Sequence, residues 1–179
     1  RSGAMGFSPS PPRFSVASVL QGIEVCSPRS ETAIIHVELP WPALLAGESP
    51  ESILQRNTVP LVNILRGKGL DLIFMGDLND GLARGLEAPK LRAAGRSITE
   101  PAVQLLYRDY MIAVDRLLAP KVLGLVAESN LIRAAAPGLY PAVKQAANDT
   151  AAALRAAGSK TNLLVSVQVE TAWGRLGGT

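Results

Sequence analysis

An α/β fold built on a parallel sheet of barrel type is what this sequence predicts, and three observations carry that reading. Short, largely apolar runs alternate with stretches of helical periodicity, as in successive βα units. The apolar runs are rich in Val, Ile and Leu, as expected of strands covered on both faces. The segment after the first run, Ser8-Pro9-Ser10-Pro11-Pro12, holds no glycine-rich phosphate turn, which separates the chain from a doubly wound open sheet. Five strand segments are legible in 179 residues, whereas a closed (β/α)8 barrel takes eight strands and roughly 250 residues. The expectation is therefore a partial (β/α)8 TIM-type barrel of about five parallel strands alternating with helices. It forms a single truncated domain over residues 5–179, with residues 1–4 reading as the remnant of a cleaved tag.

Taken in order, the first strand falls at residues 5–8. Phe14, Val16, Val19, Leu20 and Ile23 recur at helical spacing and predict a helix that ends before Ser27-Pro28. Residues 33–39 contain Ile34, Ile35, Val37 and Leu39 and predict a buried strand. Pro40-Trp41-Pro42 stops it, because neither a helix interior nor a central strand accepts proline. Ser49-Pro50-Glu51 signals a helix start. That helix runs to about Arg66 and stops at Gly67 and Gly69, with Pro60 kinking or restarting it.

The strand at 71–75 delivers Gly76-Asp77-Leu78-Asn79-Asp80-Gly81, followed by an irregular stretch to Arg96. Loops this long in compact domains are usually functional or mobile. Ser97 and Glu100 have the spacing of a capping box, with Pro101 in the first turn. Behind them Val103, Leu106, Tyr107, Tyr110, Met111, Val114, Leu117 and Leu118 hold a helical stripe. Residues 123–127 form a central strand that ends at Glu128-Ser129-Asn130. A helix over 140–157 presents Val143, Ala146, Ala147, Thr150, Ala151 and Leu154 and closes at Gly158. The last strand, 163–169, delivers Glu170 and Trp173.

Composition narrows the function. Apolar residues make up 47% of the chain, charged residues 18%, and the net charge is +3. No Lys/Arg cluster interleaves with aromatics, which argues against nucleic acid. No apolar run reaches the ~18 residues of a membrane span. The single cysteine, Cys26, cannot form an intrachain disulfide and reads as structural on a buried helix face. Asp77, Asn79 and Asp80 resemble part of a calcium loop but lack its later glutamate, and no His/Cys pair offers zinc ligands. No cofactor is expected. Asn148-Asp149-Thr150 matches a glycosylation sequon inside a predicted helix and reads as a chance match.

The chemistry gathers at strand ends. In parallel barrels catalytic groups sit on the loops after the strands. Glu128 follows an apolar strand directly, where partial desolvation favours general acid work. Asn130, two residues on, is placed to orient a hydroxyl. Strand two ends in His36-Val37-Glu38-Leu39-Pro40-Trp41, strand three in Asp77, and strand five in Glu170 and Trp173. Indole faces stack on sugar rings, and carboxylates and amides pair with hydroxyls, so Glu38, Trp41, Asp77, Asn130 and Trp173 suit a carbohydrate. His36 reads first as a satisfied strand residue. An aldolase or isomerase would want a lysine at this rim, and Lys121 lies at the other end of its strand.

Three segments carry a family resemblance. They are Met5-Gly6-Phe7-Ser8-Pro9-Ser10-Pro11-Pro12, Glu38-Leu39-Pro40-Trp41, and Leu123-Gly124-Leu125-Val126-Ala127-Glu128-Ser129-Asn130. Together they resemble the N-terminal portion of clan A glycoside hydrolases, with the nearest look to arabinogalactan endo-galactanase-like glycosidases. The resemblance implies hydrolysis of O-glycosidic bonds with Glu128 as acid/base. It departs at Ala127, where the family usually has Asn, and at strand seven, the site of the family's nucleophile, which lies beyond the five strands legible here. Glu170 is the second carboxylate this chain offers, and Asp77 a further one. A part-barrel leaves sheet edges open, so a homodimer that covers the open barrel is expected. The competing expectation is an inactive barrel that oligomerises and at most binds carbohydrate.

Overall fold

The computed structural model describes residues 4–9 and 15–175. Expectations placed on Arg1–Gly3, on Phe14, on residues 10–13 and on the end of the tail lie outside the described residues. Five parallel strands pair in chain order: β1 (Gly6–Phe7), β2 (Thr32–Glu38), β3 (Asp71–Asp77), β4 (Val122–Val126) and β5 (Asn162–Val165). This sequential order is that of a (β/α) barrel wall. A doubly wound sheet reverses direction partway across. Between the strands run α1 (Val16–Cys26), α2 (Trp41–Leu45), α3 (Pro50–Asn57), α4 (Val59–Gly67), α5 (Pro89–Ala93), α6 (Pro101–Leu118), α7 (Ser129–Ala135) and α8 (Tyr140–Ala156), and α9 (Val169–Ala172) follows β5.

The local chemistry explains the longer elements. Ser15 and Ser49 cap α1 and α3 by accepting from Ser18 N and Ser52 N. Pro60 restarts the chain as α4, because a proline in the second helical position loses no hydrogen bond. The Ser97/Glu100 pair makes only half of a capping box. Ser97 N donates to Glu100 Oε1 at 2.7 Å, but the Ser97 hydroxyl turns to Glu87 at 2.5 Å. Glu100 is therefore the residue before α6, and the helix begins at Pro101.

Crossovers that all run the same way put the helices on one side. There α6 packs between α3 and α8, α4 lies on β3 and α8 on β4. Ala33 and Ile35 of β2, Leu72 and Phe74 of β3 and Leu123 of β4 share that face and enter the core. The opposite face carries Ile34, His36, Ile73, Met75 and Gly124 in register. The Met75 thioether lies over Gly124 so closely that a methyl there would force the methionine side chain to move. On the helix side the Met111 sulfur sits over Gly76 in the same manner.

β4 and β5 slip register between Gly124 and Val126. At this irregularity the Leu125 carbonyl accepts from the buried Tyr107 hydroxyl at 2.6 Å. A register shift of this kind disrupts the ladder locally and bends the strand. β5 is shorter than its sequence pattern: pairing stops at Val165, and residues 166–168 lead into α9. Glu170 and Trp173 are accordingly carried by α9 and the turn after it, not by a strand end. The helices α2, α5, α7 and α9 were not apparent from periodicity. Cys26 ends α1 half-buried. Thr150 of the sequon is fully buried in α8, consistent with a chance match. Among the described residues no helix is long and apolar enough to cross a membrane.

Candidate functional site

A line of charged side chains crosses the rim where β2, β3 and β4 end. His36 Nε2 lies 2.8 Å from Asp77 Oδ2. The other Asp77 oxygen accepts from Arg84 Nη1 at 2.8 Å, and Arg84 Nε donates to Glu128 Oε2 at 2.8 Å. Each member arrives by a different route. Alternation along β2 turns His36 away from the core, on the same face as Asp77, which closes β3. Glu128 follows the end of β4, just past its register shift, and precedes α7. Arg84 comes from the loop after β3. Asp80 Oδ1 shapes that loop by accepting from Leu82 N and Ala83 N, and Asn79 holds the Leu86 carbonyl.

Burial makes this arrangement different from a surface ion pair. The Arg84 side chain is 5% exposed and Asp77 9%, against 35% for Glu128. Burial pulls the Arg84 guanidinium down, but the hydrogen bonds and charges of Glu128 and Asp77 outweigh it and hold it above its ordinary value. The cation is thus permanent, and it bridges two carboxylates that would otherwise repel. Below it, burial first and then the Asp77 charge push the Tyr107 phenol far up.

The Glu128 backbone is tied from the other side. Its N–H donates to Ser166 Oγ at 2.9 Å, and Ser129 N donates to the Ser166 carbonyl at 3.0 Å. Asn130 Nδ2 donates to the Gln168 carbonyl and its Oδ1 accepts from Gln168 N at 2.7 Å. This clamp brings the loop bearing Glu170 alongside the turn bearing Glu128. It holds Glu128 at φ 51° and ψ 46°, a left-handed conformation that a residue with a Cβ rarely adopts.

The remaining expected site residues divide. Glu38 stands beside Asp77 in register, and its Oε1 accepts from Lys90 N at 2.9 Å, anchoring α5. Asn130, expected to orient a hydroxyl, uses both ends of its amide on the Gln168 backbone. Trp41, expected to stack on a ligand, is fully buried: Pro40 and Pro42 start α2 and turn the indole into the core. Glu170 is exposed and accepts from the Gln168 amide at 2.5 Å. Trp173 is exposed, with the Arg175 guanidinium 5.0 Å from its ring centre. Arg84 was missed in the sequence. It lies in an aperiodic loop, and its one signal was a lone cation following the acidic run at Asp77–Asp80. Compared with models of known families, with curated proteins and with solved structures, the chain matches none.

Proposed function

We propose that this chain is a glycoside hydrolase-like barrel unit that cleaves O-glycosidic bonds, with Glu128 as general acid/base. The observation that carries the reading is a partly exposed carboxylate at the C-terminal rim of a sequentially ordered parallel sheet. Its backbone is held in a costly conformation, beside the buried Asp77–Arg84 pair. In this chemistry the acid protonates the departing oxygen while the C–O bond breaks. Water then adds to the sugar carbon and returns a proton to the carboxylate. Glu170 is the second carboxylate of the proposal, supported by the Asn130–Gln168 clamp that brings its loop to the Glu128 turn. Glu38, Asp77 and the exposed Trp173 remain the groups offered to a sugar.

The test is hydrolysis of a panel of aryl glycosides. Turnover that falls about 10²–10⁴-fold in Glu128→Gln with the fold intact supports the reading. Turnover unchanged by that substitution overturns it. A second reading is favoured by one observation: Glu38, Asp77 and Glu128 are each already bonded within the protein. On that reading the rim is structural, and the chain binds carbohydrate without cleaving it. Calorimetric binding of oligosaccharide with no turnover selects it. We also propose a second copy of the chain as partner, on the exposed apolar side chains of β5 and the segment after it.

A further inference from the structure

The Glu128 carboxylate is held by one oxygen only. Arg84 Nε donates to Oε2, and among the described residues no hydrogen bond reaches Oε1. Arg84 itself has no freedom. Its Nη1 is fixed on Asp77 Oδ1, Asp77 is fixed on His36 through Oδ2, and the guanidinium side chain is 5% exposed. Gly85 seats the same loop against α7, the helix that Glu128 precedes, since a Cβ there would press on the Ala135 carbonyl at 3.2 Å. A planar fork with two donors at a fixed angle can span two carboxylates in one geometry, which a lysine ammonium on a flexible stem cannot.

We propose that Arg84 is a positioning residue that fixes Glu128 through Oε2 and dedicates Oε1 to proton transfer. The reaction it serves is the one under Proposed function, and the inference rests on that reading for its chemistry. The proton leaves Oε1 for the glycosidic oxygen, which takes the electron pair of the breaking C–O bond. Water supplies the new C–O bond, and its released proton returns to Oε1. Asp77 holds the fork from behind and takes no part in the transfer.

The experiment compares aryl glycosides with poor and good leaving groups, phenyl against dinitrophenyl, in wild type, Arg84→Lys, Arg84→Met and a surface control, Arg116→Gln. Leaving groups that need protonation expose a misplaced acid. The expected result is a fall in kcat of about 100-fold on the phenyl glycoside. On the dinitrophenyl glycoside the fall is much smaller, KM is unchanged, Lys gives no rescue, and Arg116→Gln has no effect. Equal losses on both substrates, or full rescue by Lys, overturn the proposal, because a structural charge would behave that way. The grip is read separately, without substrate, from the Arg84 Nε–H signal in nitrogen-15 NMR. Slow solvent exchange in wild type that becomes fast in Glu128→Ala, but not in Glu170→Ala, supports it. Fast exchange in the wild type overturns it. If the wild type turns over no glycoside, the hydrolase reading falls and the NMR result alone decides the grip.

Discussion

Glu128 pays a backbone penalty that its neighbours do not. A left-handed residue with a Cβ costs roughly 1–2 kcal/mol, and such outliers persist where surrounding contacts over-determine them. Here the contacts are Ser166 on the backbone and Arg84 on the side chain. Glu128→Gly and Glu128→Ala both delete the carboxylate, so their difference isolates the conformation. The glycine variant is expected to be the more stable by about 1 kcal/mol in urea unfolding, because glycine enters the left-handed region without steric cost. In a helix interior the order would be reversed. Equal stabilities would mean that the turn relaxes once the carboxylate is gone. Arg84 shows the limit of reading residues one at a time. Its partners lie 7 and 44 positions away, and only the folded sheet brings them together.

At the scale of elements, length decided what the sequence revealed. α1, α6 and α8 were legible because each carries a helical stripe, β2, β3 and β4 because each is a largely apolar run, and the α3–α4 pair because Ser49-Pro50-Glu51 and the glycines at 67 and 69 mark its ends. The helices α2, α5, α7 and α9 span four to seven residues, too short for periodicity to register. β5 misled for a definite reason. Val165, Ser166, Val167, Gln168 and Val169 alternate apolar and polar with a period of two, the pattern of a half-buried strand. In the fold those polar side chains serve other ends: Ser166 accepts from Glu128 N, and Gln168 caps α9 by accepting from Thr171 N at 2.6 Å. Val165, which ends β5, and Val167 just beyond it are left exposed, at 49% and 56%. An apolar strand at a sheet edge recruits another chain. Light scattering is expected to give the mass of two chains, falling to one in the Val165→Lys/Val167→Lys double variant. A wild type with the mass of one chain would refute the pairing.

The whole molecule is closed by one helix layer centred on α6, and two tyrosines buried in that layer tie it to alkaline pH. Burial pushes the Tyr110 phenol up to about 12, with a Thr58 hydrogen bond opposing, and burial pushes Tyr107 further still. Both phenols bind their protons more tightly in the folded state than in the unfolded chain, where tyrosine titrates near about 10. Their contribution is therefore complete below pH ~10 and drains away as the pH climbs through the folded values. Tyrosinate absorbance from these two residues should rise together with loss of the far-ultraviolet helix signal. Ionisation well ahead of that loss would show the layer to be open. Each buried methionine sulfur rests on a glycine, Met75 on Gly124 and Met111 on Gly76. Both side chains are buried, Met75 at 4% exposure and Met111 at 0%, and methionine oxidation follows exposure. Under mild peroxide Met5, 68% exposed, is expected to oxidise alone, so a mass gain of one oxygen marks the intact sheet. Uptake at Met75 or Met111 would then mark strands that have parted, making oxidant a clock for the opening of the sheet.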